Sequence, residues 1–207
     1  MYNYTFIQGM SHLAKKDIVK GATIYEEGLP KLTEFHIRYI KSHIPTFKIG
    51  STPEDVWLGL GAKSYASTET HGSTNRKYDI VVSSDSFDRE ADPIAHFKSL
   101  WDKVRKGGLI MIDVPTSVTS GFFSFSTNWI AYMQRLNGFE VPYNRISDKT
   151  GQYDVIPDSS KVYTLRELNE HLLYKFKETS QLRLTFMLRK TSTDPLKFKP
   201  EIVKETK

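Results

Sequence analysis

Residues 78 to 115 constrain this chain more than any other stretch, because they spell a strand, a helix and a second strand in one local segment. Tyr78-Asp-Ile-Val-Val-Ser-Ser is a continuous β-branched run, the pattern of a strand buried on both faces. Asp92-Pro93 then supplies a helix N-cap and a proline for the first helical position. Ile94, Phe97, Leu100, Trp101 and Val104 recur at helical spacing and make one apolar face. Lys103, Arg105 and Lys106 fall in the expected last turn, where cations suit the helix dipole. Gly107-Gly108 is expected to end the helix, and Leu109-Ile-Met-Ile-Asp-Val reads as the second buried strand, stopped by Pro115.

The same alternation of short apolar runs and helical periods continues on both sides, the signature of βαβ units. Downstream, residues 116 to 126 read as a loop or lid rich in Ser, Thr, Gly and Phe. A helix follows with Trp129, Ile130, Met133 and Leu136, closed by Gly138, and then a strand from Phe139, where Pro142 suggests an edge. Residues 148 to 160 are turn-rich. Thr164 to Glu167 fits a capping box ahead of a helix, and Leu182 to Arg189 alternates at period two, as a last strand exposed on one face does. Upstream, strands are expected at residues 22–25, 46–49 and 63–68. Helices are expected after Pro30 and after Thr52-Pro53-Glu54-Asp55. The expected organisation is an N-terminal extension over 1–21, one α/β domain over 22–191 and a basic tail over 192–207. The sheet is open, mostly parallel and of about seven strands, the last antiparallel, with helices on both faces.

With 207 residues the chain can bury one substantial core. It contains no cysteine, which excludes disulfides, thiolate metal sites and cysteine nucleophiles. No apolar run approaches the roughly 20 residues that span a bilayer, and a cytoplasmic location is expected. The net charge is +5, with Arg189, Lys190, Lys197, Lys199, Lys204 and Lys207 near the end. Such a tail either touches nucleic acid or an acidic partner, or is simply solvated. No stripe of alternating cations and aromatics of the kind that stacks bases is present, so nucleic acid is not the expected partner. The histidines show no metal-ligand spacing with acids, and no metal is expected; His36 and His43 read as a surface pair on one helix. Ser83, Ser84, Ser86 and Ser117 lack a nucleophile-elbow context.

The segment from Tyr78 to Pro115, with its Tyr-Asp opening, Asp92-Pro93, Gly107-Gly108 and closing proline, resembles the corresponding stretch of the class I, Rossmann-like methyltransferases that use S-adenosylmethionine. Gly138-Phe-Glu-Val resembles the opening of that family's next strand. The resemblance implies a cofactor site built from a glycine-rich loop after the first strand and an acidic residue ending the second. The first place is held here by Tyr25-Glu-Glu-Gly28-Leu-Pro, with one glycine; at the second, Gly50 stands where the family carries an aspartate. The implied cofactor-binding residues are Glu26, Glu27, Gly28, Gly50, Glu69, Ser84 and Asp85. The implied catalytic candidates are Asp85, Asp88 and His71, and the implied acceptor is a small molecule or a sugar. A second reading keeps the fold without the cofactor, as a scaffold or protein-interaction module. Phe122, Phe123 and Phe125 offer a lid over an apolar substrate, an interface patch, or aromatic rings folded onto the sheet edge.

Overall fold

Period-two burial organises the molecule, since successive side chains on each strand point to opposite faces of the sheet. The computed structural model describes residues 4–28, 32, 34–43, 50, 52–68, 75–84, 87, 91–115, 127–147, 153–155 and 182–198. Their elements run α1 (Tyr4–Lys15), β1 (Thr23–Glu27), α2 (Glu34–His43), α3 (Pro53–Gly59), β2 (Ser64–Ser67), β3 (Tyr78–Ser84), α4 (Pro93–Lys103), β4 (Val104–Pro115), α5 (Thr127–Asn137), β5 (Glu140–Ser147), β6 (Tyr153–Val155) and β7 (Arg183–Arg189). The seven strands form one sheet in the order β2-β1-β3-β4-β7-β5-β6. β2, β1, β3 and β4 pair in parallel; β7 lies antiparallel between β4 and β5, and β6 is antiparallel to β5. The expected antiparallel last strand is therefore present. The three-residue β6 falls in a stretch that turn residues alone had marked as loop.

Helices cover both faces. On one face Ile24, Ile80, Val82, Leu109, Met111 and Met187 pack with Phe6, Ile7 and Met10 of α1, Ile40 of α2 and Val56 and Trp57 of α3. On the other, Val81, Ile110, Ile112, Val114, Leu184 and Phe186 pack with Phe97, Leu100 and Trp101 of α4 and Ile130 and Met133 of α5. Residues 4–15, expected to precede the domain, thus bury one side of a helix against the sheet. This corrects the expectation for β7. All five of its central residues, Leu184 to Leu188, are buried, because α1 covers the face that alternation had assigned to solvent.

Local chemistry explains the α4 unit. Asp92 Oδ1 accepts from the backbone N–H of Ile94 at 3.0 Å and of Ala95 at 2.9 Å, capping the helix ahead of Pro93. At the other end the helix stops at Lys103, not at the two glycines, since Val104 already has extended backbone and pairs with Tyr78. Buried Lys190 terminates it: its ammonium donates to the carbonyls of Trp101 at 2.7 Å and Val104 at 3.2 Å. Gly107 and Gly108 instead form the irregular entry to β4. Gly107 has a φ of +80°, and a Cβ on Gly108 would lie 2.7 Å from the Asp79 carbonyl oxygen. Lys190, read from sequence as part of a solvated basic run, is thus a core residue; Arg189 beside it pairs with Glu140 at 3.2 Å.

The expected strand at 46–49 and the helix after Thr164 lie outside the described residues. The strand hydrogen-bonded to β1 on its outer side is β2, at 64–67. His36 is buried on α2, at 7% exposure, which corrects the reading of it as a surface residue. Burial holds its pKa below the ordinary 6.5.

Candidate functional site

In an open α/β sheet, ligands enter at the carboxyl ends of the strands where the chain switches direction across the sheet. Here that place lies between β1 and β3. β1 hands on to β2 on its outer side, and β3 begins the series running the other way. Their carboxyl ends are in register, Glu26 beside Val82 and Glu27 beside Ser83, and Ser67 closes β2 beside Glu26. The edge is unusually polar for buried strands: Glu26, Glu27, Ser67, Ser83 and Ser84 are all buried.

Two adjacent glutamates at the end of one strand must face opposite ways, and each has its own set of partners. Glu26 turns to the α3 side. Its Oε2 accepts from the Trp57 indole Nε1 at 3.2 Å and the Tyr65 hydroxyl at 3.1 Å, and its Oε1 accepts from the Ser84 hydroxyl at 2.8 Å. Three donors compensate a carboxylate with no exposed surface. α3 can deliver Trp57 because its start is well fastened. Thr52 and Asp55 form a reciprocal capping box ahead of Pro53.

Glu27 turns to the α4 side. Its Oε1 lies 2.6 Å from Lys103 Nζ, its Oε2 lies 3.2 Å from His96 Nδ1, and the Tyr25 hydroxyl donates to it at 3.4 Å. Burial first, and the Glu27 charge second, push the Tyr25 phenol pKa well above its ordinary 10.0, so it remains a donor. The far nitrogen of His96, Nε2, lies 3.2 Å from Ser83 Oγ, and the Phe87 ring packs edge-on to the imidazole at 4.6 Å. Carboxylate, imidazole and hydroxyl therefore stand in the order of a hydrolytic triad. Ser83 is wholly buried within β3, and a nucleophile needs room for a substrate carbonyl, so the chain Glu27–His96–Ser83 serves to tie β1, β3 and the first turn of α4 together.

Farther along the same edge, Asp113 near the end of β4 accepts from Arg183 Nε and Thr185 Oγ1, each at 2.8 Å. Thr185 Oγ1 is 2.7 Å from Thr5 Oγ1, which is 3.2 Å from Ser147 Oγ. The Tyr143 hydroxyl donates to the Thr5 carbonyl at 2.8 Å, so the first turn of α1 is fastened over this half of the edge.

Of the residues expected at the site, Glu26, Glu27, Gly28 and Ser84 come together at the β1–β3 edge. Gly28 follows β1 with a φ of +82°, a turn that a residue with a side chain rarely adopts. Gly50 does not end a strand described here. It precedes the Thr52 cap of α3, and a side chain on it would run into that of Asp55. Asp85, Asp88, His71 and Glu69 lie outside the described residues, as do Phe122, Phe123 and Phe125. No group of three or more metal-ligating side chains occurs among the described residues. His96 was missed in the sequence, where nothing connects position 96 with 27; its place in the first turn of a helix that follows a strand's carboxyl end was the available signal.

No protein-family model and no curated protein matches the sequence. Solved structures do. Magnesium protoporphyrin IX methyltransferase from Synechocystis PCC 6803, with bound S-adenosylhomocysteine, superposes with a TM-score of 0.50 at 11% identity, over 90% of this chain and 83% of that one. YJHP from E. coli superposes with a TM-score of 0.50 at 12% identity, over 92% and 95% of the two chains. The fold is that of the class I methyltransferases. In this methyltransferase fold the inserted antiparallel strand is β7, and the β1–β3 edge is the switch point. Among the described residues no helix is long and apolar enough to cross a membrane.

Proposed function

We propose that the protein transfers a methyl group from S-adenosylmethionine to a small-molecule or sugar acceptor at the β1–β3 edge. The observation that carries this reading is the left-handed turn at Gly28, set at the carboxyl end of β1 beside the switch point. A turn without a side chain lets a ligand approach backbone N–H groups closely, which is what this chain offers the cofactor. Glu26 and Glu27 are committed to protein donors, so in this reading they hold the edge in shape while Gly28 and the segment at Ser84-Asp85 make the contacts. Gly50 and Glu69 are the remaining candidates for the cofactor, and Asp85, Asp88 and His71 for the acceptor's proton. When bound, S-adenosylmethionine supplies an electrophilic methyl group; the chain's part is to align the acceptor in line with it and to take the proton.

Calorimetry with S-adenosylhomocysteine tests the first step. Saturable binding is expected, and no heat up to millimolar ligand removes the reading. In a screen of acceptors with labelled methyl donor, Asp85→Ala is expected to abolish transfer while the unfolding midpoint stays put; retained turnover removes Asp85 from the site.

The commitment of both buried glutamates favours a second reading, a methyltransferase-fold scaffold without the cofactor. Its surfaces would be the loop with Phe122, Phe123 and Phe125 or the basic tail. Protection of either segment from hydrogen exchange by a captured protein supports it, and protection of neither argues against it. A cytoplasmic setting accords with both readings.

A further inference from the structure

A cavity of about 630 Å³ lies outside the edge just described, between the residues that lead into β3 and the outer side of α4. Asn75, Arg76, Lys77, Ala95, Lys98, Ser99, Asp102 and Lys103 line it. The volume is within the range of small-molecule sites, roughly 300 to 1,000 Å³. Four cations face one carboxylate there, Asp102.

Of the four cations, Lys77 has a partner that leaves its charge in place, and Lys103 is paired with a carboxylate. Lys77 donates to the Asp102 backbone carbonyl, and Lys190 donates to those of Trp101 and Val104, so lysines neutralise the negative end of α4. Lys103 binds Glu27 at 2.6 Å and Ser99 Oγ at 2.5 Å. That leaves Arg76 and Lys98. Neither has a carboxylate partner among the described residues, and both are exposed. The Arg76 guanidinium stands 5.6 Å from the centre of the Tyr78 ring, a contact that steadies its planar donors. Lys98 and Asp102 lie four apart on α4, as do Ala95 and Ser99, so this side of the helix presents one cation, one carboxylate, one hydroxyl and little bulk.

We infer that this cavity binds a small phosphorylated ligand, with its phosphoryl group on Arg76 and Lys98. Guanidinium donors match phosphate oxygens two at a time, and an ammonium adds a point charge. Ser99 and Asn75 supply neutral polar contacts to the rest of the molecule. The cations converge on a concavity and do not run along a face, which distinguishes the site from a track for a nucleic-acid backbone. The inference does not depend on methyl transfer. Binding of S-adenosylhomocysteine and binding here are separate measurements, and either can fail alone.

Inorganic pyrophosphate, titrated by calorimetry into the full chain at fixed ionic strength, is the probe. Saturable binding is expected, weakened about tenfold or more in Arg76→Ala/Lys98→Ala, as loss of charge-assisted contacts requires. Lys98→Arg is expected to keep most of the affinity, and Lys20→Ala, an exposed cation elsewhere, all of it. Both replaced side chains are exposed, and an unchanged circular dichroism spectrum checks that the double variant is folded. No saturation up to millimolar pyrophosphate, or equal affinity in the double variant, overturns the inference. Equal affinity for citrate overturns the choice of a phosphoryl group. A single-stranded oligonucleotide that binds more tightly than pyrophosphate, and loses that binding in the same variant, reassigns the cations to nucleic acid.

Discussion

The carboxyl edge of the sheet has two halves that use the same residue types differently. Around β4, β7 and β5, Asp113 is paired with Arg183 and Thr185, and the first turn of α1 is fastened over them through Thr5. Around β2, β1 and β3, Glu26 and Glu27 are buried too, and their partners come from these strands and from α3 and α4. α1 packs on β5, β7 and α2, and β1 runs into the turn at Gly28. Both halves satisfy their carboxylates; among the described residues α1 is fastened over one, and the other leads from β1 into the left-handed turn at Gly28. The second is where we propose that the chemistry takes place.

The largest expected effect falls on the half under α1. Asp113→Ala leaves Arg183 and Thr185 without their acceptor and is expected to cost about 3 kcal/mol, read from the shift of the urea midpoint. A loss below 1 kcal/mol would mean that the carboxylate does not hold this half together. On the half at Gly28, Glu26→Ala removes the carboxylate that accepts from three donors and is expected to cost about 2 kcal/mol, and Glu26→Gln less. If Glu26→Gln kept full stability and yet lost S-adenosylhomocysteine binding, Glu26 would be a ligand and the contrast would break. Thr52→Ala removes the cap that seats Trp57 against Glu26 and is expected to cost about 1 kcal/mol. An effect confined to α3 in hydrogen exchange would show that Trp57 is held by packing alone.

The smallest effect concerns pH. The folded-state pKa of His36 lies below its unfolded value of 6.5, so the folded state favours the neutral ring. Its contribution is complete above 6.5 and is lost as pH falls from there through the folded value. His36→Gln is expected to flatten the stability profile over that window. A profile with the same slope as wild type would assign the acid sensitivity to other groups.

Legibility followed the range of the interactions. Asp92-Pro93 caps α4 where expected, because an N-cap needs only the next three residues. The run at Tyr78 became a strand buried on both faces for an equally local reason. The end of α4 was misplaced by the glycines, since the group that stops the helix, Lys190, is 86 residues beyond Val104. α1 went unread although Phe6, Ile7, Met10 and Leu13 have helical spacing, because the strand-helix alternation that marks the domain starts only at residue 22. At the candidate site, the pair Glu26-Glu27 stood out as acids before a glycine. Their division between two faces required the strand, and their partners required the fold.

The amino-acid order alone settles that the runs at Tyr78 and Leu109 become buried strands, where α3 and α4 begin, and that strands alternate with helices. Those outcomes depend on neighbours within a few positions. Tertiary structure alone decides that β7 enters between β4 and β5, that α1 closes one half of the edge, and that Glu27 meets His96 and Lys103. A buried charge takes whichever donor the packed faces bring within about 3 Å, and chain position does not encode that distance.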